Sequence, residues 1–148
     1  MKKWKITCFF DIESKLDPVT ISNEKKFTLH HIPNLLIVFK TCRLCLNQVT
    51  AHASSKENMQ SIVCDNDSCG FHSFWGKGCC SSFLQWLFRP ENHNSIVLSH
   101  FGSGYDTIFL LEFIMKNEKK FELFPKGRGF LSIYLETSNI IFLDSMNF

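Results

Sequence analysis

Residues 4–12, WKITCFFDI, run apolar, aromatic and β-branched, the pattern of a buried strand, and Asp11 and Glu13 stand at its end. Residues 13–25 are polar, and Asp17-Pro18 reads as a turn. Residues 26–40 give two strand-like runs broken at Pro33-Asn34. Then the pattern fails. Residues 41–72 carry four cysteines and two histidines among small polar residues, with no periodic apolar face. That stretch reads as an insertion folded around something other than a hydrophobic core. Apolar spacing turns helical over residues 79–88, with Ser81 or Ser82 as the cap and Pro90 just beyond the end. Residues 95–99 form a short buried strand, and residues 104–116 an apolar-rich helix with Asp106 near its start. Residues 130–135 and 139–143 read as a hairpin around Thr137-Ser138. Strands, insertion, helix, strand, helix, hairpin is an α/β order and predicts a mixed sheet.

Composition changes this picture little. A length of 148 residues suggests one domain, and 45% hydrophobic residues with sixteen phenylalanines argue against a disordered chain. A formal charge of +2 is too small to argue for nucleic-acid binding by itself. The seven cysteines matter more. Lys2, Lys3 and Lys5 precede an apolar run too short for a signal peptide, and no run reaches the length of a membrane span. A reducing compartment is expected, with no membrane partner, so clustered cysteines are read first as metal ligands.

Two acidic motifs carry candidate chemistry. Asp11 and Glu13 are i and i+2 on a strand, so both carboxylates leave from one side, as Mg²⁺ or Mn²⁺ requires of hard ligands. The second motif runs from Ser99 to Asp106: a strand enters a glycine-bearing turn, and a helix opens with an acid. Taken singly, a D-x-E triplet is commonly just solvated, and Asp106 would simply complement the helix dipole. Together, Asp11, Glu13 and Asp106 suit a two-metal centre for phosphodiester hydrolysis.

Cys42-x2-Cys45 and Cys64-x4-Cys69 have spacings that suit a tetrahedral, structural Zn²⁺. His52, His72, Cys79 and Cys80 are spare candidates, His72 in place of Cys64 or Cys69. Four free thiols in a loop-rich insertion are the plainer alternative. Cys8 sits in an apolar strand and is expected to be core.

At these residues the sequence resembles a known family. Phe10-Asp11-Ile12-Glu13-Ser14 resembles the first exonuclease motif of family B DNA polymerases, and His100 through Asp106, followed by Phe109, resembles the second. The protein-primed branch, that of Maverick/Polinton elements, linear plasmids and related viruses, looks nearest. His31-Ile32-Pro33-Asn34 before the cysteines, Phe74-Trp75-Gly76 after them, residues 83–88 and residues 142–148 resemble the family in the same order. The resemblance implies an RNase H-like exonuclease fold, incomplete at the C-terminus, with the cysteine-rich, zinc-ribbon-like insertion at 41–73. It implies 3′→5′ removal of nucleotides from a single-stranded DNA primer end, beside a polymerase domain. Asp11, Glu13 and Asp106 carry over as metal ligands, and His100, Phe101, Gly104 and Tyr105 as substrate contacts.

Two departures qualify the resemblance. Phe101 stands where the family has Asn, and a phenyl ring stacks but cannot hydrogen-bond. The third motif, Tyr-x-x-x-Asp, lies past Phe148 in the family, so residues 1–148 alone are expected to hydrolyse DNA poorly and not to polymerise. Asp144, which precedes that motif, is expected to do turn chemistry with Ser145. The competing readings are a catalytically dead single-strand binder and a zinc-stabilised interaction module.

Overall fold

A computed structural model describes residues 4–20, 27–47, 69–100, 106–117, 120–127 and 129–147. Its strands are β1 (Ile6–Thr20), β2 (Phe27–Cys42), β3 (Gly70–Trp75), β4 (Ser95–Ser99), β5 (Phe121–Lys126), β6 (Gly129–Leu135) and β7 (Ile140–Asp144). Two helices, α1 (Cys79–Leu87) and α2 (Asp106–Asn117), lie between β3 and β5 in the chain, on either side of β4. The strands form one mixed sheet in the order β3-β2-β1-β4-β7-β6-β5. β1, β4 and β7 are mutually parallel at its centre, and the outer pairings are antiparallel.

Alternation along the strands decides which face is covered. Cys8, Phe10 and Ile12 of β1, Leu36 and Val38 of β2, Val97 of β4 and Phe142 of β7 are buried. They pack with Phe83, Leu84 and Leu87 of α1 and with Leu110 and Ile114 of α2. Phe10 stacks on Phe83 at 5.6 Å between ring centroids. Residues of the other parity, Phe9, Ile37, Phe71 and Trp75, face outward, and Trp75 is 70% exposed.

Several sequence expectations change here. The polar run 13–20 does not end the first strand at Asp17-Pro18. β1 continues to Thr20, paired residue by residue with β2 back to Phe27. The break expected at Pro33-Asn34 is a bulge inside one long strand: Glu13 pairs with Leu35 and Ser14 with Pro33, so Asn34 is skipped. The displaced Asn34 carbonyl accepts the Gly76 N–H at 2.7 Å. The sheet also takes both ends of the 41–73 stretch, since β2 runs to Cys42 and β3 starts at Gly70. Helix α1 begins after Gly78, so neither Ser81 nor Ser82 caps it; the Ser81 hydroxyl donates back to the Gly78 carbonyl. β4, α1, α2 and the β6–β7 hairpin fall where the periodicity placed them, as far as residues are described.

Candidate functional site

The acidic site is built where strands of unequal length end. β4 stops pairing with β1 at Phe10↔Ser99, and with β7 at Ser99↔Asp144. Past this edge β1 carries on with Asp11, Ile12 and Glu13, paired with β2 on one side and no longer with β4 on the other. The backbone N–H of Ile12, between the two acids, donates to the Asp106 carboxylate where β4 has ended. The Ser99 and Thr107 hydroxyls, 3.4 Å apart, tie the start of α2 to the end of β4. Asp106 thus opens α2 directly against the acid-bearing segment of β1.

Burial and charge act together on Asp106. It is 3% exposed. Its pKa is raised to about 6, first by desolvation and then by the charges of Asp11, Glu13 and Asp144, with the Ile12 amide opposing the rise. All three acids named from the sequence therefore share one electrostatic neighbourhood. Asp11 and Glu13 are exposed, on the face opposite the helices, whereas Asp106 and Asp144 are buried. The carboxylates accordingly approach from two sides of β1. They do not form a preassembled set of three ligand oxygens within 4.8 Å among the described residues.

Asp144 is the residue that sequence reasoning undervalued. It does perform turn chemistry, since its Oδ1 accepts the Met146 N–H at 2.9 Å. It is also 2% exposed and adds its charge to the field at Asp106. The alternation of Ile140, Phe142 and Asp144 on one side of β7 is the signal that pointed it inward. His100 lies at the same edge, its Nδ1 sharing a hydrogen bond with Ser145 Oγ at 3.0 Å. Phe101, Gly104 and Tyr105 lie outside the described residues.

A second site sits at the start of β1. Ile6 is paired with Cys42, and a helical turn over residues 43–47 follows directly. The turn folds Cys45 back so that its Sγ is 3.6 Å from that of Cys42. Cys69, just before β3, joins them, and the three sulfurs lie within 4.8 Å of one another. Tetrahedral ligation with metal–sulfur bonds of about 2.3 Å places sulfurs roughly 3.8 Å apart, so the arrangement can take a metal. Amides of Cys45 and Leu44, with the neighbouring thiols, lower the Cys42 pKa to about 7, against a smaller opposing effect of burial.

The other candidates are sorted by the same geometry. His72 lies against Trp86, with ring centroids 4.8 Å apart, and is not in the sulfur group. Cys79 and Cys80 sit at the start of α1, and burial first, then Cys79, pushes the Cys80 thiol up to about 12. Cys8 is core as expected, its thiol likewise pushed up to about 12 by burial. Cys64 and His52 lie outside the described residues.

No protein-family model, no curated protein and no solved structure matches this chain.

Proposed function

We propose that the chain is the 3′→5′ exonuclease portion of a family B DNA polymerase of the protein-primed type, with an RNase H-like fold. The observation that carries this reading is the shared charge field of Asp11 and Glu13 of β1 and Asp106 of α2 beside the carboxyl end of β4, where the Ile12 amide donates to Asp106. The carboxyl ends of parallel strands are where open α/β sheets place their ligands. Carboxylates are the hard oxygen donors that Mg²⁺ or Mn²⁺ takes, and an ion that drew Asp11, Glu13 and Asp106 together would polarise a phosphodiester and activate a water. The protein's own part is to hold these carboxylates at one edge. His100 and Ser145 at the same edge would position the DNA end. The polymerase activity belongs to the family that the sequence resembles, and is part of the same proposal. Cys42, Cys45 and Cys69 would hold a structural Zn²⁺, with Cys64 as the fourth ligand proposed from the spacing.

A single-stranded DNA binder without catalysis is the second reading. Phe71 and Trp75, 78% and 70% exposed, share the open sheet face with Asp11 and Glu13 and would offer bases a stacking surface. Titration with Mn²⁺, followed by electron paramagnetic resonance, tests the first reading. We expect Mn²⁺ binding that Asp11→Ala and Asp106→Ala each weaken at least tenfold, with slow Mn²⁺-dependent shortening of a 5′-labelled single strand. A protein that binds the strand but no Mn²⁺ sinks the nuclease reading and leaves the binder.

A further inference from the structure

Lys40 is a lysine where a lysine is costly. It lies near the end of β2, the second strand from the sheet's edge, on the core face, and is 2% exposed. Lysines near a surface usually keep the ammonium in water by extending the stem. Here the Nζ instead donates to Asn92 Oδ1 at 2.6 Å and lies 5.7 Å from the centroid of the Trp86 ring. Asn92 is itself fully buried, and its Nδ2 donates to the Trp86 carbonyl at 2.7 Å. The ammonium is therefore held in place by a rigid clamp. An amide oxygen and an aromatic face soften a buried charge but do not neutralise it. Among the described residues no carboxylate pairs with Lys40.

The sulfur site adjoins Lys40 along β2 and across to β3. Lys40 and Cys42 are i and i+2 on β2, about 6.6 Å apart along the strand and on one face. Lys40 is also paired with Gly70, the residue after Cys69, and with Cys8 on the opposite side. Register alone thus puts Lys40 two positions from Cys42 and beside the strand end that carries Cys69. Three or four thiolates around a divalent ion leave a net negative centre.

The geometry points to Lys40 as the countercharge of that centre: a positioning residue, two places from a ligand, that favours the metal-loaded thiolate state. This rests on the proposal that Cys42, Cys45 and Cys69 bind a metal. The bland alternative is that Lys40 only ties β2 to Asn92 and α1. The two make different demands. A structural tie affects the stability of the metal-free protein, whereas a countercharge affects the affinity for metal.

The test is titration of the reduced protein with Co²⁺, reading the thiolate-to-cobalt charge-transfer band, with urea unfolding of the metal-free forms measured separately. Lys40→Gln keeps a hydrogen-bonding group for Asn92 without the charge, Lys40→Met removes both, and Lys40→Arg restores the charge. Partners just outside a metal's ligand set commonly change affinity 10- to 100-fold. We expect Lys40→Gln and Lys40→Met to bind Co²⁺ about tenfold or more weakly, and Lys40→Arg to recover most of the loss. Wild-type affinity in Lys40→Gln overturns the countercharge role while the metal site stands. A wild-type protein that gives no thiolate band overturns the metal site, and the role of Lys40 with it.

Discussion

Asp106 shows at the residue scale what the acidic site costs. Its carboxyl goes from 3.8 to about 6 on folding, so the native state holds this proton more tightly than the unfolded chain. For a raised acid, the stability present below pH 3.8 is lost as pH rises towards 6, and the full cost applies above 6. About two units at 1.36 kcal/mol each is on the order of 3 kcal/mol. Asp106→Asn should therefore stabilise the metal-free protein at pH 7.5 and flatten its pH dependence between 4 and 6. Urea unfolding at pH 5 and pH 7.5 checks this. A variant less stable than wild type at pH 7.5 would show that the Ile12 contact outweighs burial and repulsion. Stability gained by deleting an acid is the usual mark of a site kept for function.

At the scale of elements, α2 connects the core to the acids. Leu110 and Ile114 are fully buried under it, while Ile108 on its other side is 50% exposed. Leu110→Ala should cost about 2–5 kcal/mol by opening a cavity, and weaken Mn²⁺ binding because the helix carries Asp106 at its first position. Ile108→Ala should change stability by no more than about 0.5 kcal/mol. Urea unfolding combined with Mn²⁺ titration separates the two variants. Equal effects would mean that the helix is not anchored through Leu110. Strand β5 shows the converse. Phe121–Lys126 is exposed almost throughout and contains Pro125 at a register shift, so it carries little apolar alternation. Its pairing with β6 makes it a strand, and local pattern did not reveal it.

On the scale of the whole molecule, the two candidate centres lie at opposite ends of the stretch of β1 that pairs with β4. From the Ile6↔Cys42 pair to Asp11 is five residues, about 17 Å of strand. Sites that far apart with no shared ligands behave independently. Cys45→Ala should abolish the Co²⁺ thiolate band yet leave Mn²⁺ affinity within about threefold, provided that the sheet still forms by circular dichroism. A folded Cys45→Ala protein that loses Mn²⁺ binding would mean that the sulfur site organises the acidic edge across the sheet.

The sequence by itself determined what is local. Unbroken apolar character marked the start of β1, helical spacing marked α1 and α2, and the spacing of Cys42 and Cys45 marked two candidate ligands that one turn brings together. D-x-E placed two carboxylates on one side of a strand because strand periodicity is two. Tertiary structure decided the rest. Whether Asp106 meets Asp11 depends on β4 stopping at Ser99 while β1 continues, and no local window contains both events. Pro18 and Pro33-Asn34 looked like breaks, but a long antiparallel ladder absorbed them as strand and bulge. The burial of Lys40 and Asp144 follows from strand order and from what packs above them, since a charged side chain in a strand faces water or core according to its neighbours.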